Sequence, residues 1–410
     1  MSIRQRLYPQ PREEEILHRH CQDARFVYNL GLEQRKLWRP DRSQKINTAT
    51  QMRELAQARK TFDWLAEGSS SVQQAALRDL DKAFQNWWRN PQHFSHPTWR
   101  KAGVNEGFYV RDLSVRKLNR KWGELLVPKA GWVRFRLSRS WPSIEATSSA
   151  RATLDRSGRW HVSFTQPAPV VERQSTGAVV GLDMGIATTV TTSDGVHLKL
   201  PELLSPGEAQ RKRRLQRKMA RQKKGSNRRA STKRSIAKLS ARETDRRRDW
   251  IEKTTTDLIR RYDFIAVEDL RVKDMIKSAH GTVANPGKNV RWQAGLHRLI
   301  QGQAWYLFRQ RLTDKTASAT SPVAVVAVPP ENTSYTCQKC ENVAKKSRKS
   351  QAVFKCVACG YTANADINAA QIILAAGLAV AGRGGTPHAK PNQADHSGPV
   401  KRQPPEQEVA

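Results

Sequence analysis

The sequence predicts an α+β protein of several domains, and three observations predict it. Its 410 residues allow two to four domains at roughly 100–200 residues each. The apolar pattern is helical in spacing before residue 105, alternates between about Gly107 and Gln166, and then becomes short apolar strands separated by helices. Four of the five cysteines lie within 23 residues, a spacing that suits a metal and poorly suits disulfide stapling of a chain this size. An apolar share of 38 % with 12 Trp excludes disorder throughout.

Charge narrows the partner. There are 72 Lys+Arg against 37 Asp+Glu, a formal net charge of +35, which points to a polyanion and first to nucleic acid. An anionic membrane is the rival. It would want a basic amphipathic anchor or a lipidation motif, and neither terminus offers one. No run of 18 uninterrupted apolar residues occurs, so no spanning helix and no membrane partner are expected. The opening MSIRQRLYPQPREEE lacks an apolar h-region, so no secretory signal is expected. The cysteine usage fits a reducing cytosol, and the expected location is cytoplasmic.

Taken in chain order, a first helix fits Arg12–Arg39, around Ile16, Leu17, Ala24, Phe26, Val27 and Leu30. Cys21 on this helix reads as an inert core residue. Ser71 and Gln74 suggest a capping box ahead of Val72, Ala76, Leu77, Leu80, Phe84 and Trp87. Trp87, Trp88 and Trp99 read as packing residues and not as base-stacking platforms. Alternation through Trp132–Leu137, and two strands flanking the turn Asp155–Gly158, predict a small antiparallel barrel. The stretch Pro167–Gly177 suits a boundary. After about Gly382 the chain is rich in Gly, Pro, His and Gln, and is expected to be disordered.

Three acids stand out by position. The apolar strand Ala178–Leu182 runs into Asp183 and a Gly185 turn, followed by further strands around Ser193–Asp194–Gly195. The strand Phe264–Val267 ends in the acidic pair Glu268–Asp269, and Asp366 falls in the first turn of a helix spanning Ile367–Ala376. Singly, each reads as a turn or cap residue. In order, a hairpin sheet, a helix, a strand and a helix with acids at these places have the layout of an RNase H-like nuclease. Such a site gathers carboxylates because hard Mg²⁺ takes oxygen ligands. Two ions about 3.5–4 Å apart can activate a water and stabilise the leaving oxygen of a phosphodiester. Asp183 would bridge the ions, with Glu268 and Asp366 completing the shells. Asp194, Asp263 and Asp269 are lesser candidates, since strand alternation cannot aim both Glu268 and Asp269 inward.

Between the first two acids the charge concentrates. From Arg211 to Arg248 there are 18 Lys/Arg and two acids, a net of +16, interrupted only by Gly225. This predicts a long or broken helix pair with a solvated basic face. Arg211, Lys212, Arg213, Arg214, Arg217, Lys218 and Arg221 are the expected phosphate contacts, against the plainer reading of a charged surface helix or basic linker. Cys337, Cys340, Cys356 and Cys359 form a C-x₂-C-x₁₅-C-x₂-C array, the spacing of a structural zinc site with no open position. The loop between the pairs, AKKSRKSQ, is basic and suited to phosphate.

With these residues assembled, the chain resembles the TnpB family of insertion-sequence-encoded, RNA-guided nucleases, related to compact type V CRISPR effectors. The resemblance rests on Gly181-Leu-Asp-Met-Gly185, Val267-Glu-Asp-Leu270, the cysteine array, Asp366-Ile-Asn-Ala-Ala370 and Asn332–Thr333–Ser334, and more loosely on Ala24–Asn29 and Lys129–Val133. It implies a RuvC-type nuclease domain at 177–330 and 363–381, split by a zinc module at 331–362. It further implies a helical recognition domain at 13–105 and a β-barrel wedge domain at 1–12 and 106–170, with the tail at 382–410. It implies Asp183, Glu268 and Asp366 as the catalytic set, two Mg²⁺ and one structural Zn²⁺. Guide RNA and double-stranded DNA would be the partners, with sequence chosen by pairing beside a short protein-read motif. Glu341 departs from the family, which often has Gly after the second cysteine. A guide-dependent DNA binder without cleavage is disfavoured because all three acids are present. A strand-transfer transposase would want the order Asp, Asp, Glu. A CRISPR effector differs only in genetic context, and the oligomeric state is left open.

Overall fold

The computed structural model describes residues 2–37, 46–138, 140–165, 168–282 and 285–382. The tail expected to be disordered lies outside the described residues, as does the end of the helix expected to reach Arg39. The chain divides into two compact units, within residues 1–166 and within 167–389.

In the first unit, strand β1 (Ser2–Tyr8) leads into α1 (Pro11–Lys36), α2 (Thr48–Thr61), the short α3 (Asp63–Ala66) and α4 (Ser70–Arg89). There follow β2 (Gly107–Val110), β3 (Val115–Lys117), β4 (Trp122–Val127), β5 (Gly131–Arg136), α5 (Trp141–Glu145), β6 (Ala150–Leu154) and β7 (Trp160–Thr165). Helix α1 starts where Pro11 presets the first turn and the Glu13 carboxylate accepts from the Gln10 N–H at 2.7 Å. The Asn47 side chain caps α2. The capping box expected at Ser71 and Gln74 is not there: α4 begins at Ser70, and the Ser71 hydroxyl lies 3.0 Å from that of Ser69.

The strands form one antiparallel sheet in the order β2-β6-β7-β1-β5-β4-β3. β1 pairs with β7 through Arg6 and with β5 through Leu7 and Tyr8, so it belongs to both halves. Phe135 and Phe164, from the two halves, meet in one core with ring centroids 5.2 Å apart. The sheet is therefore curled, with β2 and β3 at its edges, where the sequence leads to expect a small antiparallel barrel. Of the three tryptophans, Trp87 packs on the core and Trp88 lays its ring 5.5 Å from that of core Phe84, but Trp88 and Trp99 are 61 % and 45 % exposed, less covered than the packing role expected of them. Cys21 is buried, and burial pushes its thiol up to about 12, an inert state.

The second unit holds β8 (Val179–Asp183), β9 (Val190–Thr192), β10 (His197–Leu198), α6 (Pro206–Arg221), α7 (Asn227–Arg261) and β11 (Phe264–Glu268). It continues through α8 (Val272–Met275), α9 (Val290–Gln303), α10 (Trp305–Thr316), β12 (Ala324–Val328), β13 (Val353–Lys355), β14 (Thr362–Asn364) and α11 (Ala365–Gly382). Its main sheet runs β10-β9-β8-β11-β12, with β8, β11 and β12 parallel and β9 antiparallel to β8.

Strands buried on both faces read as continuous apolar runs, as VVGL and FIAV do here. On one face Val180, Leu182, Ile265 and Val267 pack against Ile251 and Leu258 of α7 and Phe308 and Leu312 of α10. On the other, Phe264, Ala266 and Val328 pack against Ile373 of α11. By length and apolar composition α11 passes for a membrane span, with a mean hydropathy of 1.5, although Asp366, Asn368 and Gln371 interrupt its apolar run. It is instead laid on the sheet at close range. A Cβ on Gly181 would sit 2.0 Å from the Ala370 carbonyl oxygen, and one on Gly377 would sit 2.5 Å from Ala266 Cβ.

Candidate catalytic and metal centre

Strand alternation places the three acids. Gly181 faces α11, so Asp183, two residues on, faces the same way; Ala266 faces Gly377 of α11, so Glu268 does too. The register pairs Leu182 with Val267, which puts Asp183 and Glu268 side by side at the carboxyl ends of adjacent parallel strands. Sites in open α/β sheets form at such ends. Asp366 lies four residues before Ala370, on the helix face that meets Gly181. The Asn364 side chain accepts from the Asp366 and Ile367 N–H groups and fixes the helix start.

Asp183 feels the other two carboxylates. Burial first, then the charges of Glu268 and Asp366, push Asp183 up to about 7, with Arg348 opposing them. Burial also raises Glu268, and a hydrogen bond from the Thr333 hydroxyl at 2.6 Å works against that rise. Arg348 Nη2 pairs with Asp366 Oδ1 at 3.2 Å and also donates to the Gln351 carbonyl. Largely buried carboxyl oxygens, one of them raised by its acidic neighbours, are donors that a hard divalent cation relieves, so the donor set fits Mg²⁺. The lesser candidates are committed elsewhere. Asp194 accepts from Thr192 and Tyr262, Asp263 from Arg173, Ser175 and the Gly177 N–H, and Asp269 pairs with Arg309.

Among the described residues, the four cysteines are the one group of potential metal ligands whose ligand atoms all lie within 4.8 Å of one another; the three carboxylates are not drawn that close. Cys337 Sγ and Cys359 Sγ are 3.8 Å apart, and Cys340 Sγ and Cys356 Sγ 3.6 Å. These distances are far beyond a disulfide bond and match the edges of a tetrahedron with metal–sulfur bonds of about 2.3 Å. The Cys359 and Ala358 N–H groups pull the Cys356 thiol down to about 6, toward the thiolate that binds metal. The cysteines therefore fit zinc. Asn368, fully buried and two residues past Asp366, bonds the Thr336 carbonyl and the Gln338 N–H, joining the cysteine module to α11.

The basic segment forms the antiparallel pair α6 and α7, turned at Gly225 with φ of +85°. Ser205 and Glu208 cap α6, and Arg242 and Arg246 of α7 grip the Glu208 carboxylate at 2.6 and 2.8 Å. Of the seven expected phosphate contacts, Arg211, Arg213, Arg214, Arg217, Lys218 and Arg221 are exposed, while Lys212 is paired with Glu243 inside the hairpin. Sequence reasoning missed Thr333 and Asn368 as parts of the site. Arg348 was noticed only as one charge of a basic loop suited to phosphate, yet it faces a carboxylate.

Comparison with known proteins bears on this arrangement. A family model described as "Probable transposase" matches residues 161–279, and one described as "Cas12f1-like, TNB domain" matches 305–373, which spans the cysteine module. A third, a helix-turn-helix domain, matches 1–43, where the described residues form β1 and α1 and no second helix. The chain is 35 % identical over 379 residues to an Escherichia coli K12 protein named "Putative RNA-guided DNA endonuclease InsQ", covering 91 % of each. A Streptomyces pristinaespiralis protein with the same description apart from the name InsQ is 31 % identical over 389 residues, covering 93 % of this chain and 90 % of that one. Among solved structures, CasPhi-2 (Cas12j) bound to crRNA and phosphorothioate DNA aligns with 92 % of this chain and 91 % of its own at 12 % identity. Its TM-score of 0.38 is too low to bear on fold or function.

Proposed function

The chain belongs to the TnpB family, and on that premise we propose that it is a metal-dependent, RNA-guided DNA endonuclease that cuts phosphodiester bonds at Asp183, Glu268 and Asp366. The observation that carries the reading is the convergence of these acids on the α11 side of the sheet, at adjacent strand ends and a helix start. The sheet order, with a three-stranded antiparallel meander (β8–β10) beside the parallel strands β11 and β12, supports an RNase H-like, RuvC-type fold for the second unit. Magnesium held by the three acids would supply an activated water and charge stabilisation for the leaving oxygen.

The chain's own residues prepare that site. Burial disfavours the charged forms of Asp183 and Glu268, and the charges of Glu268 and Asp366 add to this at Asp183, so a cation held there would relieve the site. Thr333 and Arg348 orient Glu268 and Asp366. Zinc on Cys337, Cys340, Cys356 and Cys359 would be structural, since four thiolates leave no open position. The exposed face of α6 would hold backbone phosphates of guide RNA or DNA. The first unit would form the recognition and wedge parts that grip the guide and read a short motif beside the target.

The test is target cleavage by the chain purified with its co-purifying RNA. Asp183→Ala should cut at least about a thousandfold more slowly, since metal-ion catalysis supplies several kcal/mol, while still binding target DNA. Undiminished cleavage by that variant would remove Asp183 from the site.

A further inference from the structure

Thr333 and Glu268 are both buried, 4 % and 6 % exposed, and 65 residues apart in sequence. The Thr333 hydroxyl lies 2.6 Å from Glu268 Oε1 and 3.2 Å from the Pro330 carbonyl oxygen. A hydroxyl has one proton to give, and the shorter contact to a carboxylate takes it. Among the described residues, Thr333 is the one hydrogen-bond donor to the Glu268 carboxylate. Without it, a three-torsion side chain in a buried setting would turn away or take up a proton. The donor is itself stiff, because a β-branched side chain has restricted χ1.

Thr333 does not belong to the sheet. It sits in the turn that opens the cysteine module, where the Asn332 carbonyl accepts from the N–H groups of Tyr335 and Thr336 at 2.9 and 3.0 Å, directly ahead of Cys337. The hydrogen bond therefore joins the folded module to the end of β11.

We propose that Thr333 is a positioning residue for Glu268, through which the cysteine module sets the rotamer of that carboxylate and so the ion affinity and cutting rate of the site. This rests on Glu268 holding metal, as proposed above. A partner of this kind, acting behind a ligand, changes metal affinity or activity by about ten- to a hundredfold when removed.

The test uses the full chain with Thr333→Val, Thr333→Ser and Glu268→Gln. Zinc content, melting, Mn²⁺ binding read from the free-ion paramagnetic resonance signal, and cleavage against Mg²⁺ concentration are measured for each. Thr333→Val is expected to keep its zinc and melting point, yet to weaken Mn²⁺ binding and raise the half-saturating Mg²⁺ by about tenfold or more. Thr333→Ser should recover most of both. A Val variant with wild-type ion binding and Mg²⁺ dependence would overturn the proposal, and so would a Ser variant as impaired as Val. If Glu268→Gln abolishes ion binding and cutting while Val changes neither, Thr333 alone loses its role. If Glu268→Gln leaves both intact, the metal reading of Glu268 fails and this proposal with it.

Discussion

Glu341 and Gly360 occupy the same place in the two knuckles of the cysteine cluster. Each follows the second cysteine of its pair, donates its N–H to the first cysteine's carbonyl, and has left-handed backbone with φ of +57° and +71°. Glycine adopts that conformation freely, whereas a residue with a Cβ is strained there by about 1–2 kcal/mol. Glu341→Gly should therefore stabilise the module by about 1 kcal/mol and slow zinc loss to a chelator. Stopped-flow release of zinc to a chromogenic chelator checks this, and faster release from the variant would contradict it.

Asp183 makes the ion-free protein sensitive to pH. Its carboxyl titrates near about 7 in the folded chain and about 3.9 unfolded, so the folded state holds the extra proton between those values. Folding stability therefore declines as pH rises through that window, and the loss is complete above about 7. Asp183→Asn should raise the melting temperature in magnesium-free buffer at pH 8 and do progressively less as pH falls toward 5. Equal gains at both ends would contradict an Asp183 carboxyl raised by burial and by its acidic neighbours.

The hairpin of α6 and α7 divides its basic residues into two kinds. Replacing Arg211, Arg213, Arg214, Arg217, Lys218 and Arg221 by Gln should flatten the salt dependence of nucleic-acid binding, by about 0.7–0.9 in log–log slope for each phosphate no longer neutralised. Lys212→Gln should leave the slope nearly unchanged, because Lys212 is already paired with Glu243. Binding titrations at several salt concentrations separate the two.

The cysteine module and the acids should fail together. Cys356→Ser removes one of the four thiolates that would hold zinc, and the released module would free Thr333 from Glu268, Arg348 from Asp366 and Asn368 from Thr336. Loss of zinc, an earlier melting transition and loss of target cleavage are expected. A zinc-free variant that still cuts at the wild-type rate would show that these links carry nothing.

The cysteine cluster was legible because its signal is local: C-x₂-C repeated after fifteen residues can be read in one pass. Each acid alone reads as a turn or cap residue, and only the order of the three along the chain marks them as candidates. Thr333 and Arg348 were not legible as site residues, since nothing near them in sequence says that Glu268 and Asp366 are their partners. Periodicity also overreached: it put Phe26 and Leu30 among packing residues, yet both are more than 40 % exposed. Spacing reveals an apolar stripe without revealing how far the neighbouring element covers it. The cap of α4 was misplaced because Ser69, Ser70 and Ser71 offer three starts, and the helix takes Ser69 as its N-cap.

The closeness of α11 to the sheet gives the site a second point of failure. Gly181 has no side chain to offer a ligand, but a Cβ there would sit 2.0 Å from the Ala370 carbonyl oxygen and so would push against the helix that bears Asp366. A descendant gene with that one codon changed would keep every acid and every cysteine, and would still encode a protein that finds its target without cutting it. Counting intact carboxylates is thus too lenient a census of live nucleases among relatives; Gly181 and Gly377 belong in the tally.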